Sequence, residues 1–368
     1  MLNRTCIITG AGGQVFSYLA EVLLDNGFTV VGTRRRCSNH NNENLKHLIG
    51  RERFSIDEME LCDYSSVREC ITRHNPEQIY NLAAMSFVGS SFSQPKYCFE
   101  VNTIGVLNIL EVIRQYLPES KFYNSSTSEM FGTNYDSRTL SDGTIERYQD
   151  ENTKFVPASP YGISKLASHN LVKLYRDAYG IKCCSGILFN MESKFRGLEF
   201  VTRKITSYIA ELVKNCSIRH TGYGMQSADR VDFIDIGMNN GFSFIPDDLK
   251  NYQKLALGNI NSFRDWNHAK DSSVAQFLML QQCGKMQDYV ISSGTTRSVK
   301  DFLHIAFSIV GLDYRDFIRI DKKYYRPSDV EYLCGDSTKA RTELKWSPKI
   351  TFDELVREMV FADIDRVI

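Results

Sequence analysis

The sequence lacks long apolar runs and an excess of charge of either sign. No stretch of its 368 residues approaches the roughly 20 apolar residues that cross a membrane, and Met1 to Asn3 carry no signal-peptide pattern. Lysine and arginine together equal aspartate and glutamate at 44 each, so no overall field attracts nucleic acid or an anionic membrane. We therefore expect a cytoplasmic protein with neither membrane nor nucleic acid among its partners.

Paired cysteines and clustered metal ligands are also missing. The ten cysteines are scattered, and the one adjacent pair, Cys183-Cys184, falls in a predicted strand where the two side chains point to opposite faces. The seven histidines show no metal-ligand spacing. We expect reduced, mostly buried thiols, with no disulfide and no metal site.

The sequence does contain a regular alternation of β-branched runs and helix-length amphipathic segments. TCIIT precedes a predicted helix from Gln14 to Asn26 and then FTVVGT, and QIYNLAA precedes a predicted helix from Tyr97 to Gln115. SKFYNSS and CCSGILFN are typical strands on either side of a long helix, capped by Ser159 or Pro160. This alternation predicts a parallel sheet wrapped by helices, with ligands beyond the carboxyl ends of the strands.

The parallel core is expected to end near residue 190. We predict a first domain at 1–190 and a smaller lobe at 191–368. Within the second range, the segment at about 253–295 is a candidate to pack with the first domain. Glycines, Asn-Asn and Pro-Asp at about 216–252 predict an inserted excursion of hairpins. The expected fold class is α/β, a doubly wound parallel sheet with a smaller mixed α/β C-terminal lobe.

A glycine-rich turn, TGAGGQ, stands between the first strand and the first helix. Gly10 and Gly13 let a pyrophosphate approach the backbone amides of the helix N-terminus; the alternative is an ordinary tight turn. Phe16 stands where such turns carry their last glycine, which lets the helix pack on the strand. We expect nucleotide binding to survive, with the ring accommodated by a shifted helix start or by a small neighbour such as Ala83 or Ala84.

Three arginines, Arg34 to Arg36, follow the second predicted strand. An NAD-selective site presents a carboxylate to the adenosine ribose at this point, whereas guanidinium groups match a 2′-phosphate bidentately. The sequence therefore favours NADP. The alternative is a solvated basic edge or a subunit contact.

Tyr161 and Lys165 lie four residues apart on the long predicted helix, and therefore on one face. A neighbouring ammonium stabilises a phenolate, which lowers the tyrosine pKa from ~10 and lets the phenolate accept a proton from a sugar hydroxyl. The end of the strand FYNSS carries Ser126, Thr127 and Glu129, in the loop expected to face a nicotinamide. The alternatives are turn chemistry for Ser126 and Thr127 and a solvated carboxylate for Glu129.

Several motifs together resemble the extended short-chain dehydrogenase/reductases, and in particular the GDP-mannose 4,6-dehydratase family. They are TGxxGQ, STSE, SPYGxSK, GILFNxES, FVTRKI, RDWxHAKD, YYRPxxVxxL and GDxTKAxxxLxWxP, which span nearly the whole chain. The resemblance implies a Rossmann-type NADP domain, a C-terminal lobe that holds a GDP-sugar, and a homodimer or homotetramer. It also implies conversion of GDP-mannose to GDP-4-keto-6-deoxymannose by internal hydride transfer and loss of water. In this reaction Tyr161, with Lys165 and Thr127, takes the C4 hydroxyl proton and Glu129 removes the C5 proton.

The resemblance assigns binding residues position by position. The implied cofactor contacts are Gly10, Gly13, Gln14, Arg35, Arg36, Leu61, Leu82, Ser86, Tyr97, Tyr161, Lys165 and Arg196. The implied substrate contacts are Ser86, Asn190, Lys204, Arg264 and Arg326. By their charge, the last three are suited to a diphosphate, although a single basic residue is more often a surface charge.

The chain also departs from the family pattern. Phe16, Glu60, Met85, Met191 and Lys194-Phe195 replace family residues, mostly along the expected cofactor path, and extra segments at 133–155 and about 216–252 could reshape the sugar pocket or an oligomer contact. Three alternatives therefore stay open: the same chemistry on another GDP-sugar, an epimerase or reductase, and a non-catalytic NADP-binding relative. The intact Tyr-Lys pair and its companion threonine and glutamate argue against the last.

Overall fold

The computed structural model describes residues 4–38, 42–216, 242, 244, 246–325 and 330–368, so the predicted hairpins at 216–252 lie largely outside the described residues. The chain divides into two compact units. The first comprises Met1–Met191, Arg264–Thr296 and Ser328–Lys349, and the second comprises Glu192–Phe263, Arg297–Pro327 and Ile350–Ile368. Residues 328–349, which the sequence assigns to the second lobe, thus belong to the first unit.

Strands and helices alternate through the first unit and are mixed in the second. The strands are β1 (Thr5–Thr9), β2 (Thr29–Arg34), β3 (Phe54–Glu58), β4 (Gln78–Asn81), β5 (Lys121–Thr127), β6 (Asp136–Thr139), β7 (Ile145–Tyr148), β8 (Cys183–Leu188), β9 (Asn190–Glu192), β10 (Leu255–Leu257), β11 (Phe263–His268), β12 (Tyr289–Ile291), β13 (Thr296–Ser298) and β14 (Ile318–Ile320). The helices are α1 (Gln14–Asp25), α2 (Tyr64–His74), α3 (Val88–Ser93), α4 (Pro95–Phe99), α5 (Gly105–Tyr116), α6 (Pro160–Tyr179), α7 (Val201–Cys216), α8 (Pro246–Asn251), α9 (Ala269–Leu280), α10 (Val299–Ser308), α11 (Tyr314–Phe317), α12 (Thr338–Glu343) and α13 (Phe352–Val367). Among the described residues, no helix has the length and apolar character needed to cross a bilayer.

The first unit is built on a seven-stranded sheet in the order β12-β8-β5-β4-β1-β2-β3. Every neighbouring pair in this sheet is parallel. The chain runs outward from β1 to β3 and then returns to β4 on the other side of β1, so the strand order reverses between β1 and β4. This confirms the predicted doubly wound sheet, in which the crevice at the reversal is the usual ligand site.

The central strands of this sheet are buried on both faces, because an apolar layer covers each face. Cys183 packs in the layer beneath α2 and α5, and Cys184 packs in the layer beneath α1 and α9. The adjacent cysteines therefore take opposite faces, as predicted. In the described part of the chain, which includes all ten cysteines, there is no disulfide, and Cys37, Cys62 and Cys283 are the exposed cysteines.

Phe16 is fully buried on α1, and its ring lies over Gly32 of β2. A Cβ at Gly32 would meet the Cζ of Phe16 at 2.5 Å, so the strand glycine provides the room for the ring. The small neighbour that the structure shows is therefore Gly32, whereas Ala83, one of the two predicted candidates, packs in the opposite layer and approaches Gly10. The helix begins at Gln14, directly after the glycine turn.

The extra segment at 133–155 forms a β-hairpin, β6 and β7, that belongs to the first unit. Its base is fixed by Gln149, whose buried side chain donates to the carbonyl of Asn134 at 3.1 Å and accepts from the amide of Cys334 at 2.9 Å. Arg138 of β6 donates to Asp336 at 2.6 Å. The hairpin is therefore anchored to the later segment around residues 334–336.

The second unit packs α7 against α13 through a buried ion pair. Arg203, the arginine of FVTRKI, donates from Nε to both carboxylate oxygens of Asp363 at 2.7 and 2.8 Å. Its Nη1 donates to the carbonyls of Lys194 and Arg196, and Thr206 also donates to Asp363. Arg203 thus has a structural role in this unit.

The contact between Phe16 and Gly32 predicts a coupled effect on stability. Gly32→Ala is expected to lower the free energy of unfolding by about 1–3 kcal/mol, since the added methyl group overpacks the ring. In a Phe16→Leu background the same change is expected to cost less, because the shorter side chain vacates that space. Denaturant unfolding of the four proteins measures the coupling, and strictly additive costs would contradict the contact.

Candidate active site

A cavity of about 470 Å³ lies at the carboxyl ends of β1, β2, β3 and β4, where the strand order reverses. Of the cofactor residues that the resemblance implies, those in its wall are Gly10, Gly13, Arg35, Leu61, Leu82, Ser86 and Tyr97. Two of the departures from the family pattern, Glu60 and Met85, also line it. The crevice predicted from the sequence therefore exists and has the size of a ligand pocket.

The glycine turn forms one wall of the cavity. Gly10 has a φ of 80°, and a Cβ there would lie 3.1 Å from the Cα of Ala83 on the next crossing of the chain. The amides of Gly10 and Ala11 donate to the carbonyl of Thr33 at 2.9 Å, which ties the turn to β2. Gly13 is the N-cap of α1 and has no side chain to cap the first-turn amides, a role that an anion can fill.

Arginines form the opposite rim. Nη1 of Arg35 donates to the hydroxyl of Tyr97 at 2.8 Å, and Nη1 of Arg34 donates to Asn42 at 2.9 Å. Both arginines line the cavity. The rim is therefore cationic. Tyr97 and Asn42, which hold the two guanidinium groups in these hydrogen bonds, are neutral and do not offset the positive charge.

Five of the implied cofactor residues lie outside the cavity wall: Gln14, Arg36 and Arg196, and the pair Tyr161 and Lys165 described below. Gln14 is buried and donates from its amide to the carbonyl of Met191 at 2.8 Å, while Arg36 is exposed. Arg196 belongs to the second unit, where it pairs with Glu192 at 3.2 Å and lies 3.4 Å from the ring centroid of Phe200.

Helix α6 carries the Tyr-Lys pair and begins at its predicted cap. Ser159 is the N-cap and accepts from the amide of Gly162, with Pro160 in the first turn. Tyr161 is buried in a small apolar cluster to which Met85 of the cavity wall also belongs. The phenol therefore lies beside the lining of the cavity, although neither Tyr161 nor Lys165 forms part of the wall itself.

Lys165 is fully enclosed below Tyr161. Its Nζ donates to the carbonyl of Ser125 at 2.8 Å, which links α6 to β5. Burial lowers the pKa of the Lys165 ammonium to about 8, because the site offers it little solvation. The lysine is thus still mostly protonated at neutral pH, as stabilisation of a phenolate requires.

The end of β5 meets the first turn of α6. Thr127 caps a short 3₁₀ turn, Ser128–Met130, and its Oγ1 accepts from the amide of Glu129 at 3.3 Å. A Cβ at Gly162 would lie 2.8 Å from the carbonyl oxygen of Glu129, so the two segments are in close contact at the residue after Tyr161. This contact brings the strand end and the helix start, far apart in sequence, to one place.

Sequence reasoning missed the part played by Asn102. The helix predicted from Tyr97 to Gln115 is interrupted by a π-helical turn, Glu100–Ile104. Within it the buried Asn102 accepts from the amide of Met85 at 2.9 Å and donates to the hydroxyl of Ser164 at 3.1 Å. Asn102 therefore connects the cavity wall to α6. In the sequence, the one indication of this role was a polar asparagine within the mostly apolar run VNTIGVL.

The implied substrate residues lie in different parts of the chain. Asn190 opens β9 and Arg264 is buried on β11, both in the first unit. Lys204 lies on α7 of the second unit, where its ammonium is 5.5 Å from the ring centroid of Tyr324. Arg326 lies outside the described residues.

The reversal of strand order, the glycine turn and the helix that carries the Tyr-Lys pair define the fold of the extended short-chain dehydrogenase/reductases. The chain matches the family model for GDP-mannose 4,6 dehydratase over residues 7–234 and 244–359. It is 37% identical over 373 residues to GDP-mannose 4,6 dehydratase 1 of Arabidopsis thaliana, covering 99% of this chain and 90% of that protein. The chain belongs to the GDP-mannose 4,6-dehydratase family.

Solved structures share the fold at lower identity. The dTDP-glucose 4,6-dehydratase of Bacillus anthracis, determined with NAD, has a TM-score of 0.73 at 18% identity, covering 98% of this chain and 96% of that chain. RMD from Pseudomonas aeruginosa, determined with NADPH, has a TM-score of 0.69 at 17% identity, covering 99% of both chains. These likenesses extend through both units.

Burial of Lys165 predicts a specific pH dependence of stability. The folded protein releases this proton near pH 8, whereas the unfolded chain holds it to about pH 10.4, so the wild type gains stability between these values by up to about 3 kcal/mol. Lys165→Met removes the titrating group and therefore the gain. Denaturant unfolding of both cofactor-free proteins across this pH range measures the difference, and parallel pH profiles would contradict the assignment.

Proposed function

We propose that this protein converts GDP-mannose to GDP-4-keto-6-deoxymannose with NADP bound in the cavity. The observation that carries the proposal is the contact between the Glu129 segment and the first turn of α6. This contact brings a carboxylate-bearing turn against the turn that bears Tyr161. Membership of the GDP-mannose 4,6-dehydratase family supports the choice of substrate.

The residues of the cavity fit a dinucleotide phosphate. Gly10 and Gly13 would hold the pyrophosphate, because neither has a side chain to block its approach and the N-cap Gly13 leaves the first-turn amides of α1 without a side-chain cap. Arg35 and Arg36 would hold the 2′-phosphate, which favours NADP over NAD. NADP bound there would supply the hydride acceptor for C4 of the sugar and the hydride donor for C6.

Each catalytic residue has a distinct task in this reaction. Tyr161 accepts the proton of the C4 hydroxyl, and the buried Lys165 ammonium stabilises the phenolate that does so. Thr127 presents its hydroxyl to the same sugar oxygen. Glu129 removes the C5 proton, which the new C4 ketone has made acidic, and delivers it to the C6 hydroxyl, which leaves as water; the proton held by Tyr161 then returns to C5 as C6 is reduced.

The base at C5 separates this reaction from others on the same scaffold. A 4-epimerase or a simple reductase exchanges hydride at C4 and needs no carboxylate for a carbon acid. Glu129 is half-buried and held at its backbone by Thr127 and by the packing against Gly162, as expected of a positioned base. These contacts favour the dehydratase.

The substrate residues follow the same proposal. Ser86, at the end of the cavity wall, and Asn190 would contact the sugar. Lys204, Arg264 and Arg326 would neutralise the diphosphate, for which guanidinium and ammonium groups are suited.

The reaction itself is tested with GDP-mannose and no external reductant. The product is expected to be lighter by one water with no net formation of NADPH, measured by mass spectrometry and by NADPH absorbance. Net accumulation of NADPH, or an unchanged mass, would overturn the dehydratase. In a Glu129→Gln variant, NADP binding is expected to persist while the rate of water loss falls by roughly 10²–10⁴-fold, the usual contribution of a general base.

A surface carboxylate provides the matched control for this variant. Glu52→Gln makes the same chemical change at an exposed position and is expected to leave the rate unchanged. Wild-type rates in Glu129→Gln would remove Glu129 from the mechanism.

Cofactor choice gives a second prediction. Arg35→Ala is expected to weaken NADP binding by roughly 10- to 100-fold, as for loss of a charged hydrogen bond of about 1.5–3 kcal/mol, and to change NAD binding little. Titration calorimetry with each cofactor measures this, with the exposed Arg51→Ala as control. Equal losses for both cofactors would show that Arg35 does not read the 2′-phosphate.

A further inference from the structure

A second cluster of reactive side chains lies in the first unit, outside the cavity wall. Asp57 stands on β3, and Cys70 and His74 stand on α2, the next element along the chain. The spacing of Cys70 and His74 is i, i+4, which puts both on one face of the helix, and that face meets Asp57. Their candidate ligand atoms all lie within 4.8 Å of one another. None of the three has a task in the proposed reaction.

The carboxylate of Asp57 is oriented towards the other two residues. Its Oδ1 accepts from the amide of Glu58 at 2.8 Å, so its Oδ2 is directed at the helix. Oδ2 lies 2.7 Å from Nε2 of His74 and 3.9 Å from Sγ of Cys70. A hydrogen bond that fixes one carboxylate oxygen and leaves the other for a ligand is the usual support of a metal-binding carboxylate.

From this arrangement we infer that Asp57, Cys70 and His74 form a site for Zn²⁺ or a cation of similar softness, with water as the fourth ligand. Thiolate, imidazole and carboxylate are the side chains that bind zinc, whereas Mg²⁺ and Ca²⁺ prefer oxygen alone. Tetrahedral bonds of about 2.0–2.3 Å separate ligand atoms by roughly 3.3–3.7 Å. The observed separations, 2.7 and 3.9 Å from Asp57 and at most 4.8 Å between any two ligand atoms, lie on both sides of this range, so side-chain rotations without a change of the backbone would complete the site.

Burial and access also fit such a site. Cys70 is buried, while the side chains of Asp57 and His74 are 25% and 24% exposed, which leaves a path for the ion and for a bound water. The ion would link β3 to α2. It would do so close to Met59, Glu60 and Leu61, the residues after β3 that line the cavity.

Arg73 competes with the metal ion for the carboxylate of Asp57. Its Nη1 lies 3.0 Å from Oδ2 of Asp57, and its Nη2 lies 2.7 Å from Glu69. The side chain is half-exposed, so it can keep Glu69 as its partner when the ion takes Asp57. Binding replaces the thiol proton of Cys70, which passes to solvent, with the metal–sulfur bond. The hydrogen bond between Nε2 of His74 and Oδ2 of Asp57 breaks, and the neutral imidazole binds through Nε2 with its proton on Nδ1.

Cobalt(II) provides the test, because a cobalt–thiolate bond gives a charge-transfer absorption that oxygen and nitrogen ligands do not. The full-length protein, freed of metal by a chelator, is expected to bind one equivalent of Co²⁺ with this absorption, and Zn²⁺ is expected to remove it. Cys70→Ser is expected to abolish the absorption, while Cys283→Ser, which removes an exposed thiol outside the cluster, is expected to retain it.

Two further variants keep the test decisive if Cys70→Ser does not fold. His74→Gln is expected to weaken Co²⁺ binding at least tenfold, and Arg73→Gln is expected to tighten it about tenfold, since it removes a charged hydrogen bond to Asp57. Absence of the absorption in the wild type, its persistence in Cys70→Ser, or unchanged affinity in both His74→Gln and Arg73→Gln would overturn the site.

Discussion

The close contact between the carbonyl of Glu129 and the backbone of Gly162 is the constraint on which the reactive part of the structure depends. It requires a residue without a side chain at the third position of helix α6, because any Cβ would collide with that oxygen. The residue before it is Tyr161, so the contact fixes the start of the tyrosine-bearing turn against the glutamate-bearing turn. A single backbone approach thus sets the relation between two chemical groups that lie 32 residues apart in sequence.

Polar contacts around this point hold the same arrangement from other directions. Lys165 reaches the carbonyl of Ser125 on β5, and Asn102 joins Met85 in the cavity wall to Ser164 on α6. Together these bonds connect β5 and the cavity wall to the helix of the Tyr-Lys pair, and the side chains of Lys165, Asn102 and Ser164 are buried. Buried hydrogen bonds of this kind cost free energy when one partner is lost, so they restrict the site to one geometry.

The sequence was sufficient to predict the parallel sheet, the glycine turn, the cap at Ser159 and the opposite faces of Cys183 and Cys184, because each follows from local periodicity or turn chemistry. It was insufficient for the contact of Phe16 with Gly32, since pattern alone does not reveal which small residue of a neighbouring strand faces a helix. The π-helical turn at Asn102 was not predicted for a similar reason, since the contacts of Asn102 with Met85 and Ser164 arise only in the folded chain. The histidine spacings indicated no metal site, because the sequence does not show that Asp57 of β3 lies against Cys70 and His74 of α2.

The most direct test of the central contact is the activity of Gly162→Ala. The new Cβ would meet the carbonyl oxygen of Glu129 at 2.8 Å and push the two turns apart. We predict retained NADP binding and a kcat on GDP-mannose that falls about 100-fold, as for catalytic groups displaced by about 1 Å. A variant with wild-type kcat would contradict the claim that this contact aligns Glu129 with Tyr161.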